Sequence, residues 1–354
     1  MSAAPAPALT WPDVLTSLTR GHDLDPERAR WAMTEILTGQ ATTIQIAGFA
    51  VALRTKGETV EELSGLAEAM LEQATPVPLT GPLVDVVGSG GDRANTVNIS
   101  TMAALVAGAA GAPVAKHGNR SASSACGTAD VLEELGVVLT LSPEQQLEVM
   151  AEVGIVFLFA PRYHPALRHA SEARSGLAVP TTFNFLGPLA HPARPSAQAV
   201  GVADARMAGL TAGVLAGRGV SAVVFHGSDG LDELTTTTDS LVWLVRSGQV
   251  HQTRLDPAEL GLSRAELGDL VGGDAKVNAA VVRRLLEGAT GPVRDIVLLN
   301  AAATLLAAEG PDLERPVAEQ LAPRLARAAE AVDSGRAATL LERWVQATRR
   351  VSGA

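Results

Sequence analysis

The chain has 354 residues, is 47% hydrophobic and 19% charged, and carries a formal net charge of −10. That length supports a large core and two domains more readily than one. The acid excess excludes a general affinity for phosphate backbones, and 3% aromatic residues leave little with which to stack bases. A single cysteine, Cys126, rules out an intramolecular disulfide and favours a reducing compartment.

The first residues lack the basic segment and apolar run of a signal peptide. The longest low-polarity stretch, 101–115, is broken by Pro113 and is shorter than the roughly 20 residues a bilayer span needs. A cytoplasmic protein that engages neither membrane nor nucleic acid is therefore expected. From Trp11 to Ala74 the sequence reads as consecutive helices. Asp25-Pro26 is a cap and first-turn pair, Thr59 and Glu62 form a capping box, and Gly57 closes the helix between. Ile44, Ala47, Phe49, Val51 and Leu53 give that helix a broad apolar face.

After Pro76-Val77-Pro78 the pattern changes to short apolar runs alternating with helical segments. Strands are predicted at 83–87, 113–115, 137–141, 155–159 and 222–225, and a hairpin over 240–253 turns at Ser247-Gly248. Strand, helix, strand, helix predicts an α/β fold with a mostly parallel central sheet.

Three loops, each after a predicted strand, carry the candidate chemistry, as expected for open α/β sheets. The first is Gly88-Ser89-Gly90-Gly91-Asp92, followed by Thr96, Asn98, Ile99, Ser100 and Thr101 at the start of an Ala-rich helix. Glycines let a backbone approach a ligand closely, and a helix N-terminus favours an anion. An ordinary glycine-rich turn is the alternative. The second runs Lys116-His117-Gly118-Asn119-Arg120-Ser121-Ala122-Ser123-Ser124, where two cations and three hydroxyls suit a phosphate ester. A solvated surface loop is the competing reading. The third contains Asp232-Glu233, which is either a polar turn or a pair of oxygen ligands for Mg²⁺.

Taken together and in order, the segments GSGGD with NTVNIST, KHGNRSASS with CGTADVLEELG, FAPRYHPALRHASEARSGLAVPTTFNFLGPLAHPA, and HGSDGLDELTTTT resemble the anthranilate phosphoribosyltransferase family, as do GGDAKVNAA and VRDIVLLNAAATLL. The resemblance covers the chain from Asp25 to Trp344. It implies a nucleoside phosphorylase-like fold, with a small helical domain over 1–78, joined by helices from about 181–216, and an α/β catalytic domain over 79–354. It also implies an active site in the interdomain cleft and a homodimer. The implied reaction moves the phosphoribosyl group of phosphoribosyl pyrophosphate onto anthranilate, with two Mg²⁺ per site, in tryptophan biosynthesis.

By the same resemblance Gly88, Gly91, Asp92 and Thr96 would hold the pyrophosphate. Asn98, Ile99, Ser100, Thr101, the run from Lys116 to Ser124, and Thr128 would contact the donor. Ser100, Asp232 and Glu233 would hold metal; Gly88, Asn119 and Arg174 would contact anthranilate; and Lys116 would stabilise transition-state charge. Ser89 stands where Thr is usual, Arg93 where Gly is common, and Ala125-Cys126 where Lys-Ser is frequent. A pyrimidine nucleoside phosphorylase on the same fold and a nucleic-acid-binding paralogue are the rival readings. The first typically has Ser after its Lys-His and lacks the Asp-Glu pair, and the second sits poorly with the charge balance.

Overall fold

A computed structural model describes residues 9–121 and 125–353, which fall into two units: Met1–Ala74 with His164–Ala190, and Thr75–Tyr163 with His191–Ala354. The first unit is helical because its caps and apolar faces agree. Helix Pro26–Leu37 starts where Asp25 accepts the Arg28 N–H at 2.8 Å, and helix Val60–Glu72 starts in the Thr59/Glu62 capping box. Buried Glu62 also accepts the Leu24 N–H and the Lys56 ammonium, each at 2.9 Å, so both of its oxygens are satisfied. Gly65 lets these two helices touch, since a Cβ there would collide with the Pro26 carbonyl.

Helix Thr43–Lys56 buries Ile46, Phe49 and Leu53 but leaves Ile44 84% and Val51 44% exposed, so its broad apolar face is split between core and surface. The chain returns to this unit as the 3₁₀ segment Pro165–Ala170, helix Ser171–Leu177 and the 3₁₀ turn Thr182–Phe185. Buried Glu58 anchors the return by accepting the Thr182 hydroxyl at 2.6 Å. The returning segment thus lies at 164–190. Of residues 181–216, expected with it, 191–216 belong to the other unit, where helix Ala205–Gly217 packs on the sheet.

That sheet contains β1 (Val84–Gly88), β2 (Val114–Gly118), β3 (Ile155–Phe159), β4 (Ala197–Gly201), β5 (Ser221–Gly227), β6 (Ser240–Arg246) and β7 (Gln249–Leu255). Among the described residues the order is β3-β2-β1-β4-β5-β6-β7, with β1 to β5 parallel and β6 and β7 antiparallel. Ser247 (φ 52°) and Gly248 (φ 77°) both adopt the left-handed geometry that a two-residue hairpin needs. Residues 137–141, predicted as a strand, join no ladder. They bury Val137, Leu139 and Leu141 alternately, and the Val138 N–H donates to Thr348 Oγ1 of a helix at 3.2 Å.

Helix Ile99–Ala109 and helix Pro292–Glu309, both rich in small residues, pack against each other and against the sheet. Strand order reverses between β1 and β4, which end side by side at Gly88 and Gly201. Crevices at such reversals bind ligands in α/β folds. Among the described residues no helix is long and apolar enough to cross a membrane.

Candidate functional site

Two glycines at the ends of β1 and β4 make room for one carboxylate. A Cβ on Gly88 would run into the Asp232 carboxylate, and one on Gly201 into the Asp232 carbonyl. The Asp232 Oδ2 accepts the Gly90 N–H at 2.6 Å, fixing the glycine-rich loop to the segment after β5. Gly90 (φ 69°) and Gly91 (φ 93°) turn the loop, which continues through Arg93 (φ 59°) and Asn95 (φ 52°). Arg93 is therefore held in the left-handed region, where a glycine would carry no steric cost. Asp92 lies beside Asp232, and the Ser100 N–H donates to the Glu233 carboxylate.

Asp232 and Glu233 are not a surface turn. They are 9% and 8% exposed, and the segment that carries them is pinned by buried Asn300, which accepts the Leu234 N–H at 3.0 Å and donates to its carbonyl at 2.9 Å. Burial pushes the Asp232 carboxyl up to about 7, and the Asp92 charge acts in the same direction. Glu233 is raised well above the ordinary carboxyl range, first by burial and then by Asp232.

Lys116 and His117, expected in a loop, lie inside β2, with Lys116 only 1% exposed. A lysine in a central parallel strand is uncommon, and this one is accommodated because Nζ donates to the Val86 carbonyl at 2.5 Å and to Ser100 Oγ at 3.2 Å. Burial pulls its pKa down, against the field of Asp85, Glu233 and Asp232. Behind it, buried Asp85 accepts the His117 N–H at 3.2 Å and faces His191 Nε2 at 4.0 Å. Burial holds the Asp85 carboxyl up and the His191 imidazole down.

Around this centre the remaining candidates divide. Thr101 Oγ1 donates to Thr128 Oγ1 at 3.3 Å, and Asn98 is held by Asn278 at 2.8 Å and donates to the Cys126 carbonyl at 3.2 Å. Gly118 is closed in by the Phe157 ring and Thr128. Ile99 is buried in the core, so only its main chain can face a ligand. Thr96 forms an isolated bridge with Val271. Arg120, in the loop after β2, is turned onto helix Thr128–Glu134, pairing with Asp130 at 2.8 Å and Glu133 at 2.9 Å while lying over the Phe159 ring. Ser121 N–H shares Asp130, and Asn119 Oδ1 accepts the Arg120 N–H.

Ala122, Ser123 and Ser124 lie outside the described residues. Arg174 sits within helix Ser171–Leu177 of the helical unit, its guanidinium 5.8 Å above the Phe183 ring. Sequence reasoning gave no role to Asn278, Asn300, Asp85 or His191. Only the polar type of Asn300, within the apolar stretch of its helix, signalled one.

The donor set at the β1/β4 reversal is all oxygen: two adjacent buried carboxylates, a third nearby and the Ser100 hydroxyl. Three acids around one buried ammonium leave a demand for positive charge that a hard divalent cation satisfies. Among the described residues no cluster of three or more His, Cys, Asp or Glu side chains is arranged to hold a metal, so Mg²⁺ here would take its remaining ligands from substrate and water. A loop that presents backbone amides beside such a cation suits a pyrophosphate.

A polyanion-binding transferase is the class this fold and site define. In agreement, residues 80–338 match the family model described as glycosyl transferase family, a/b domain, and residues 12–74 match glycosyl transferase family, helical bundle domain. The chain belongs to the anthranilate phosphoribosyltransferase family: it is 56% identical to the Thermobifida fusca member over 96% of this chain and 97% of that one. The crystal structure of the Thermus thermophilus anthranilate phosphoribosyltransferase superposes with a TM-score of 0.87 at 42% identity, covering 95% of this chain and 99% of that one. The Saccharomyces cerevisiae enzyme in complex with PRPP and Mg does so with a TM-score of 0.86 at 26% identity, covering 96% and 98%, and the same yeast protein has been solved with 4-fluoroanthranilate.

Proposed function

We propose that this chain transfers the phosphoribosyl group of phosphoribosyl pyrophosphate to the amine of anthranilate, giving N-(5-phosphoribosyl)anthranilate and pyrophosphate on the route to tryptophan. The observation that carries this reading is the buried Asp232–Glu233 pair locked to the glycine-rich loop at the β1/β4 reversal. Sequence likeness to anthranilate phosphoribosyltransferases along almost the whole chain supports the choice of acceptor.

Breaking the anomeric C–O bond leaves positive charge on the ribose and negative charge on the pyrophosphate. Gly88, Gly91, Asp92 and Thr96 line the pyrophosphate, with loop amides as donors. Asn98, the Ile99 main chain, Ser100, Thr101, Thr128 and the run from Lys116 to Ser124 line the rest of the donor. Arg120 joins them by leaving two exposed ion pairs, each of small worth. Lys116 fixes the Ser100 hydroxyl and adds a positive field in a low-dielectric interior. Two Mg²⁺, held through Asp232, Glu233 and Ser100, supply the positive charge that the departing pyrophosphate needs. The acceptor amine is neutral at pH 7 and needs positioning rather than a strong base. Pyrophosphate release should stop in excess chelator and return with added Mg²⁺; undiminished release in chelator would refute this mechanism.

Gly88, Asn119 and Arg174 form the acceptor contacts. Arg174 is half-buried, has no carboxylate partner among the described residues, and has its pKa pulled down by burial. Such a cation suits the anthranilate carboxylate, which a planar guanidinium grips with two parallel hydrogen bonds. Arg174→Ala should weaken anthranilate use by about 1.5–3 kcal/mol in kcat/KM and leave the donor KM unchanged. Equal losses for both substrates would refute the assignment.

The protein acts in the cytoplasm as a homodimer, for which the exposed Ile44 and Val51 supply an apolar helix face. Ile44→Asp should convert the dimer to monomer in sedimentation equilibrium. A dimer of unchanged affinity would place the interface elsewhere.

A further inference from the structure

Asp232 and Glu233 ride on the connection between β5 and β6, residues 228–239. Asn300 holds their neighbour Leu234 from outside that connection, and a second fixture lies within it. Asp229 Oδ1 accepts the Leu231 N–H at 3.1 Å, while its Oδ2 accepts the Thr235 hydroxyl at 2.7 Å and the Thr237 hydroxyl. One carboxylate thus gathers the chain just before the buried pair and just after it. Thr235 is 1% exposed, and its Oγ1 also accepts the Thr237 N–H at 3.0 Å. The Gly227 N–H donates to the Leu231 carbonyl at 3.0 Å and the Ser228 N–H to the Asp239 carbonyl at 2.9 Å, which closes the neck of the loop. Gly227 is needed there, since a Cβ would collide with Asp229 Oδ1.

Asp229 is itself exposed, so it adds nothing to the core. Its value lies in what it restrains. The charges of Asp232, Glu233 and Asp92 repel one another, and a loop free to relax would carry the pair apart until a cation arrived. A carboxylate is suited to resist this, because as an anion it accepts several hydrogen bonds and each is strengthened by its charge. Groups that orient metal ligands govern affinity for the metal nearly as much as the ligands do.

We propose that Asp229 is a positioning residue for the transfer reaction: through Leu231, Thr235 and Thr237 it holds Asp232 and Glu233 ready for the divalent cation that accompanies pyrophosphate. The inference rests on the metal-assisted reading given above. It assigns a task to the first acid of the Asp229-Gly230-Leu231-Asp232-Glu233 run and to two members of the threonine run that follows. Asp229 touches neither substrate nor metal in this role.

The test is calorimetric titration of the full chain, without anthranilate, with magnesium pyrophosphate and with pyrophosphate in excess chelator. The ratio of the two affinities isolates the contribution of the metal. The parent should favour the magnesium complex. Asp229→Ala should cut that ratio by about 10–100-fold, the usual cost of losing a group that orients a metal ligand, while metal-free pyrophosphate binds as in the parent. Thr235→Val removes one leg of the same link and should cut the ratio too. Combined with Asp229→Ala it should cost little more, because both act through one connection. Thr235→Ser keeps the hydroxyl and should keep the parent's ratio. In the transfer assay the Mg²⁺ needed for half-maximal turnover should rise in Asp229→Ala while the anthranilate KM does not. A parent with no preference for the magnesium complex would overturn the metal-assisted reading and this inference with it. A parent with that preference beside an Asp229→Ala variant that retains it would overturn the inference alone. Equal losses with and without metal, or additive losses at Asp229 and Thr235, would also overturn it.

Discussion

Asp232→Asn should lower turnover on the order of 10²–10³-fold and at the same time make the metal-free protein more stable. The two effects have one cause. In the fold, the Asp232 carboxyl titrates near 7 instead of 3.8 because it is buried beside Asp92. Between those two values the folded chain binds more protons than the unfolded chain, so stability falls as pH rises through the window. The cost is absent below about pH 4 and fully developed above about pH 7. Asparagine keeps an oxygen for the Gly90 N–H and removes the charge. The variant should therefore match the parent near pH 4 and exceed it by roughly 1–3 kcal/mol at pH 8 in urea unfolding. Mg²⁺ should narrow that gap by stabilising the parent more than the variant. A variant less stable than the parent at pH 8 would show that the carboxylate is a structural element and not a strained ligand.

Lys116→Ala should act in the opposite sense on stability and in the same sense on turnover. The lysine lies in the fields of Asp85, Glu233 and Asp232 and is almost fully buried. Removing one member of a buried charge cluster leaves the others uncompensated, at a cost of about 3–5 kcal/mol. It also releases the Ser100 hydroxyl, so the donor KM should rise and turnover should fall while the anthranilate KM stays put. Urea unfolding and steady-state kinetics on the same preparation separate the two effects. A loss confined to anthranilate would mean that the lysine serves the other substrate.

The helical caps, the parallel sheet and the glycine-rich loop were legible because each rests on local chemistry. Asp25-Pro26 and Thr59/Glu62 cap as their side chains dictate, and Ser247-Gly248 turns as a hairpin dipeptide should. What stayed hidden depends on tertiary partners. β4, Ala-Gln-Ala-Val-Gly, is short, small and interrupted by a glutamine, so nothing local marks it as a central strand, and the residues around it were assigned to the wrong unit. Residues 137–141 alternate like a strand because they bury every second side chain, yet they find a helix and not a ladder. Lys116 read as a loop cation because its acceptors, Val86 and Ser100, lie 30 and 16 residues away. The burial of Asp232 and Glu233 likewise depends on Asn300 and on two glycines from separate strands.

The central claim is that this chain joins a phosphoribosyl group to anthranilate, and anthranilate fluorescence tests it most directly. The purified protein is mixed with anthranilate, phosphoribosyl pyrophosphate and Mg²⁺, and the fluorescence is followed with each component omitted in turn. The expected result is loss of signal only in the complete mixture, with pyrophosphate appearing mole for mole. Persistent fluorescence in the complete mixture, alongside phosphorolysis of a pyrimidine nucleoside by the same preparation, would contradict it.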